Sequence, residues 1–139
     1  MTALVGPSGS GKSTITKLIT GFWEATSGVI TLGGVDLKKI PLSQLSSYVS
    51  YVSQDNYLFD ESIRENIRLG KPDATDDEVV AAAKAACCHE FIVKLENGYD
   101  TNAGDAGGKL SGGERQRITI ARAILKNARV IIPVSYTHL

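Results

Sequence analysis

Short apolar runs alternate with glycine-rich breaks along this chain, and the spacing within the runs changes from stretch to stretch. TALV at residues 2–5 reads as a short strand, and the GPSGSG that follows can continue neither a strand nor a helix, because glycine and proline punctuate it. KSTITKLIT has helical spacing, with Ile15, Leu18 and Ile19 on one face and Gly21 as its stop. GVITLGG predicts a strand ending in a Gly-Gly turn, PLSQLSS one helical turn, and YVSYVSQ an alternating strand. ESIRENIRLG predicts a short helix stopped by Gly70. TDDEVVAAAKAACCHEFIVKL opens on a Thr75-to-Glu78 capping box and runs helically in two pieces. ENGYDTNAGDAGGKL is a glycine-rich loop, SGGERQRITIARAILKN a helix with a second capping box from Ser111 to Glu114, and RVII a last short strand. The order strand, glycine loop, helix, and later helix, strand predicts an α/β fold with a mostly parallel sheet.

Composition narrows the picture only a little. At 139 residues the chain is at most one domain, and 42% apolar with 22% charged residues is ordinary for a globular protein. Fifteen basic residues balance fifteen acidic ones, so no surplus of positive charge points to a nucleic-acid partner. No run approaches a membrane span, and no signal peptide is expected. Cys87 and Cys88 are adjacent, a poor geometry for a disulfide, and read as small half-buried helix residues in a reducing compartment.

Two stretches carry chemistry. Gly6 to Ser13 fit G-x-x-x-x-G-K-[ST], between a predicted strand and a predicted helix. Glycines without Cβ let backbone N–H groups curl around a polyphosphate, and the helix starting near Lys12 points its positive end at the same anion. In this pattern Gly6, Pro7, Ser8, Gly9, Ser10, Gly11, Lys12, Ser13 and Thr14 cradle the phosphates; Lys12 reaches the outer two and the Ser13 hydroxyl ligates Mg²⁺. The second stretch is LSGGERQR. A capping box alone explains Ser111 and Glu114. It does not explain Gly112 and Gly113 in the first helical turn, where each costs about 1 kcal/mol against alanine. Bare backbone at a helix start suits close approach of another anion, and one nucleotide does not easily fill both sites in one compact chain.

GPSGSGKST, the YVSQ strand end and LSGGERQR, in this order, resemble the nucleotide-binding domain of ABC transporters over residues 2–132. LFDESIRENI and NGYDTNAGDAGGKLSGGERQR resemble the exporter branch. The resemblance implies a P-loop NTPase core, incomplete here, with a helical subdomain at about residues 72–113. It implies ATP and Mg²⁺ as cofactors, and a head-to-tail dimer with a second nucleotide-binding domain. In that dimer Ser111, Gly112 and Gly113, with Glu114 behind them, cover ATP held on the other subunit's phosphate loop. Gln54 is implied as a contact to Mg²⁺ or the attacking water, and residues 55–60 as the face toward a transmembrane domain. Asp105 stands where exporters carry an acidic residue that senses that domain, with a plain loop carboxylate as the alternative. The function so implied is ATP hydrolysis driving export, at the cytoplasmic face of the plasma membrane. A soluble ABC ATPase, and a polypeptide inactive as written, remain the other readings.

The two ends depart from the family pattern. Family members carry an aromatic residue that stacks on adenine in antiparallel strands before the loop, and this chain begins a few residues before it. The family strand ends in Asp-Glu, which on RVII would stand at Val134 and Ser135, so no catalytic set is complete. His138 falls too early for the family's switch histidine. PVSYTHL matches, residue for residue, one reading frame of a transposon end used to tag sequencing libraries; residues 133–139 are therefore expected to be an adapter-derived, non-native tail. Pro133, lacking an N–H, is expected to interrupt strand pairing.

Overall fold

In the computed structural model, residues 5–7, 9–52 and 55–133 are described. The expectations for residues 2–4, for Ser8, for Gln54 and for the tail from Val134 onward lie outside them. Helix α1 (Lys12–Ile19) follows the glycine loop. A hairpin of β1 (Thr31–Leu32) and β2 (Val35–Asp36) turns through Gly33 and Gly34, both with positive φ. The predicted strand is thus shorter than its apolar run, and its Gly-Gly turn folds it back on residues not assigned to a strand from sequence. Helix α2 (Leu42–Tyr48) runs directly into strand β3 (Val49–Val52). PLSQLSS makes more than the single turn expected, and Tyr48 closes the helix rather than opening the strand.

Strand β3 pairs in parallel with β4 (Val130–Pro133). The crossover between them holds α3 (Ile63–Arg68), α4 (Asp76–Ala85), α5 (His89–Ile92) and α6 (Gly112–Leu125). Pro133 stands in register opposite Val52. Pairing therefore reaches Pro133 itself, and the residues beyond it lie outside those described.

The main core lies within the crossover. Leu58, Ile63, Ile67, Val79, Ile92 and Ile118 are fully buried and pack with the alanines of α4 and α6. Three of its helices, α3, α4 and α6, start where a side chain accepts from a first-turn N–H. Ser62 Oγ accepts from Glu65 N, and both predicted capping boxes form, at Thr75/Glu78 and Ser111/Glu114. Cys87 and Cys88 lie in the break between α4 and α5 rather than inside a helix: Cys87 is exposed with φ +55°, and Cys88 is buried, where desolvation raises its thiol pKa to about 11. Helix α3 ends just before Gly70, as expected, and a further constraint acts on that glycine. Its φ is not positive; a Cβ there would meet Arg122 O at 2.2 Å, so glycine is needed because α6 passes against it.

Helix α1 presents a different face from the one its spacing suggests. Thr16 and Thr20 are buried and Ile15 is exposed. The threonine hydroxyls donate to backbone carbonyls one turn back, Thr16 to Ser13 O (2.9 Å) and Thr20 to Thr16 O (3.0 Å), and so are buried with their donors satisfied.

Candidate functional site

Gly9 and Gly11 both adopt left-handed φ, +81° and +84°, and a Cβ built on either meets nothing within 4 Å. The conformation excludes side chains, and the space in front of the loop stays open. Gly6 is constrained differently: a Cβ there would sit 2.7 Å from Ser10 Oγ. The loop closes through Ser10 N donating to Pro7 O (3.2 Å), and Gly11 caps α1. Lys12 begins the helix and folds its side chain back across the loop. Its ammonium donates to Gly6 O (2.7 Å), Pro7 O (2.8 Å) and Ser10 Oγ (3.2 Å). Two carbonyls hold the charge in place, and the longest contact, to a neutral hydroxyl, is the one an incoming anion would most readily replace. Ser13 and Thr14 are exposed on the first turn of α1.

The second helix start is built by its capping box. Ser111 Oγ caps α6 and also donates to Glu114 Oε2 (2.7 Å), while Ser111 N donates to the same oxygen (2.8 Å). The serine hydroxyl bond and then the backbone N–H hold the Glu114 carboxyl below its ordinary range. Gly112 and Gly113 are exposed and do not have positive φ. A Cβ on them would find only Arg115 Nη2 at 3.9 Å and Arg117 Nη1 at 3.7 Å, ordinary contacts. Among the described residues nothing therefore requires glycine at either position. Among the described residues, no hydrogen bond or ion pair joins this turn to the phosphate loop.

The glycine-rich loop before α6 is fastened at both ends. Ile63 N donates to Thr101 O (2.9 Å) and Ala103 N to Glu61 O (3.0 Å), tying the loop to the start of α3. Gly107 has φ +74°, and a Cβ on it would strike Arg115 Cδ at 2.6 Å and approach Leu58 Cδ1 at 3.2 Å. Arg115 in turn donates to Leu110 O (2.7 Å). Asp105 is exposed at the start of a short 3₁₀ turn.

Sequence reasoning missed one group. Asn66 is fully buried on α3. Its amide donates to Phe59 O (3.0 Å), Glu61 O (3.3 Å) and Ser62 O (3.1 Å), and its Oδ1 accepts from Phe59 N (2.9 Å). Arg122 of α6 completes the set, donating to Asn66 O (2.8 Å), Asn66 Oδ1 (3.0 Å) and Tyr57 O (3.3 Å). No carboxylate among the described residues pairs with Arg122, and burial lowers its pKa below the usual value. The only local signal was an asparagine among apolar helix positions.

Two helix starts with bare backbone, one carrying a lysine across its loop, agree with what comparison of the chain shows. A family profile described as "ABC transporter" matches residues 1–133, and the chain belongs to that family. The putative multidrug export ATP-binding/permease protein YgaD of Bacillus subtilis (strain 168) is 52% identical over 130 residues, covering 94% of this chain and 22% of that relative. ATP-binding cassette sub-family B member 6 of Xenopus tropicalis is 51% identical over 130 residues, 94% of this chain and 15% of the relative. A solved structure titled "Structure of a bacterial Atm1-family ABC exporter with ATP bound" superposes with TM-score 0.88 at 42% identity, over 91% of this chain and 22% of the other. The α/β architecture is thus shared with a part of that ABC exporter. The chain spans between 15% and 22% of the length of these proteins.

Proposed function

We propose that this chain is the ATP-binding segment of an export-type ABC transporter, which binds ATP on the loop from Gly6 to Thr14 and covers the ATP of a second copy with Ser111, Gly112 and Gly113. The observation that carries the reading is the pair of glycines at Gly112 and Gly113, which no contact or backbone angle among the described residues demands. Their bareness makes sense toward something outside the chain. The open, left-handed cradle at Gly9 and Gly11 fits a polyphosphate, with Lys12 beside it. Ser13, and Gln54 outside the described residues, would hold Mg²⁺, which when bound offsets phosphate charge. Lys12 orients the outer phosphates, and the start of α6 contributes the first-turn N–H donors that the Ser111 cap does not use.

The same reading gives residues 72–113 as a helical subdomain and the segment around residues 55–60 as the face toward a transmembrane domain at the cytoplasmic side of the membrane. In support, Tyr57 and Phe59 stand about half exposed with their rings edge-to-face at 5.2 Å, and Leu69 is exposed beside them. Phe59 and Leu69, with Pro72, border a hollow also lined by Glu61, Glu65 and Arg68, an apolar floor with a charged rim. Asp105 belongs to the same surface role.

Mixing two inactive variants of the full-length protein tests the shared site. Lys12→Ala damages only the loop, and Gly113→Asp only the α6 start. In a head-to-tail dimer, a mixed pair regains one site with both halves intact, so ATP hydrolysis returns on mixing. Sites built within single chains would leave the mixture as inactive as its parts, and that result would reject the proposal.

A further inference from the structure

Helix α6 touches the segment after β3 through two polar rungs far from its own start. Thr119 Oγ1 lies 3.1 Å from Asn56 Oδ1, and one turn on Arg122 reaches Tyr57 O and both oxygens of Asn66. These contacts join residues 56 to 65 positions apart in sequence. Asn66 holds the other side: it binds both the N–H and the carbonyl of Phe59 and the carbonyls of Glu61 and Ser62. A guanidinium placed here for stability alone would be expected to meet a carboxylate, as Arg64 and Arg68 do on the same helix as Asn66. Arg122 instead spends its planar fork on neutral oxygens of one asparagine and one loop carbonyl, which fixes direction and spacing more than charge. Asn66, fully buried with both ends of its amide engaged, cannot turn without losing several bonds at once. Displacement of α6 is therefore passed to the backbone of Tyr57–Phe59, whose aromatic side chains face outward.

We infer that Asn66 and Arg122 are positioning residues that transmit movement of the Ser111 end of α6 to the exposed Tyr57–Phe59 segment. This rests on the function proposed above, in which the first surface meets ATP and the second the membrane domain. Hydrogen exchange on the full-length protein, with and without a magnesium complex of a non-hydrolysable ATP analogue, tests it. In the unmodified protein, nucleotide should slow exchange about tenfold both at residues 109–116 and at residues 57–66. In Arg122→Lys, which keeps the charge and loses the fork, the slowing at 109–116 should persist. At 57–66 it should shrink to less than about twofold. Asn66→Asp, which keeps the acceptor and loses the three donated bonds, should do the same; should it fail to accumulate, Arg122→Lys decides alone. Full nucleotide response at 57–66 in Arg122→Lys overturns the inference. Equal loss at both segments also overturns it, because that marks a merely structural role. No response at either segment in the unmodified protein overturns the inference together with the reading beneath it, a result recognisable because it needs no variant.

Discussion

Lys12 and Gly113 lie at opposite ends of the proposed chemistry, and their local surroundings predict different consequences when changed. Among the described residues the Lys12 ammonium bonds the loop it spans, so its removal takes away the charge while α1 keeps its backbone bonds. Gly113 is the sharper case. A methyl group there finds room, its nearest new neighbour being the end of the Arg117 side chain at 3.7 Å, and the backbone angle already suits any residue. Gly113→Ala is therefore expected to leave the unfolding midpoint unchanged or to raise stability by up to about 1 kcal/mol, through helix propensity. The same change should lower ATP hydrolysis by the full-length protein at least about tenfold, by holding an approaching phosphate off the helix start. A variant that hydrolyses ATP normally would show that the glycine serves no partner.

At the scale of the element, the start of α6 depends on an ionised Glu114. Its carboxylate accepts from the Ser111 hydroxyl and N–H, so its folded-state pKa lies below its unfolded value. The sign follows: the stabilisation is fully present above the ordinary glutamate pKa of about 4.3 and is lost as pH falls through the lower folded value. Denaturant unfolding of the chain and of Glu114→Gln should show the wild type ahead near neutral pH, with the gap closing in acid. A gap independent of pH would mean that the carboxylate charge plays no part. This capping box, like the one at Thr75, could be read in the sequence because both partners lie within one helical turn. The phosphate loop was legible for the same reason, its glycines and lysine being contiguous. The helix stop at Gly70 was legible, but the packing that constrains Gly70 and Gly107 was not, because the backbone at Arg122 and the side chains of Arg115 and Leu58 come from distant parts of the chain. Arg122 and Asn66 carry no local signal of their pairing, because the contacts that join them span 56 residues of sequence. The spacing of Ile15, Leu18 and Ile19 does not reveal the burial of Thr16 and Thr20, since a hydroxyl that bonds its own helix can be buried without a visible partner in the sequence.

Across the whole molecule, burial is uneven. Every member of the main apolar cluster falls between Leu58 and Leu125, whereas α1 and the β1–β2 hairpin contribute none. Native-state exchange should accordingly be fastest over residues 12–40 and slowest over α3, α4 and α6. Ile118→Ala, at the fully buried middle of α6, should cost about 2–5 kcal/mol and speed exchange in all three helices together. Uniform protection along the chain would contradict this division. Within the slow part, α6 is fixed at three heights along one stripe. Arg115 bonds Leu110 O, Arg122 lies close to two turns further on at Asn66, and Lys126 lies close to three turns on, donating to Val49 O (3.1 Å). Such a rod has no tolerance for a change of phase. One alanine inserted between Thr119 and Arg122 would leave every charge and apolar residue in place, yet swing the last two anchors about 100° away from their partners. Length variation among related chains is thus expected in the loops before α6 and not between Arg115 and Lys126. An aligned set of relatives with insertions inside that interval would be enough to disprove it.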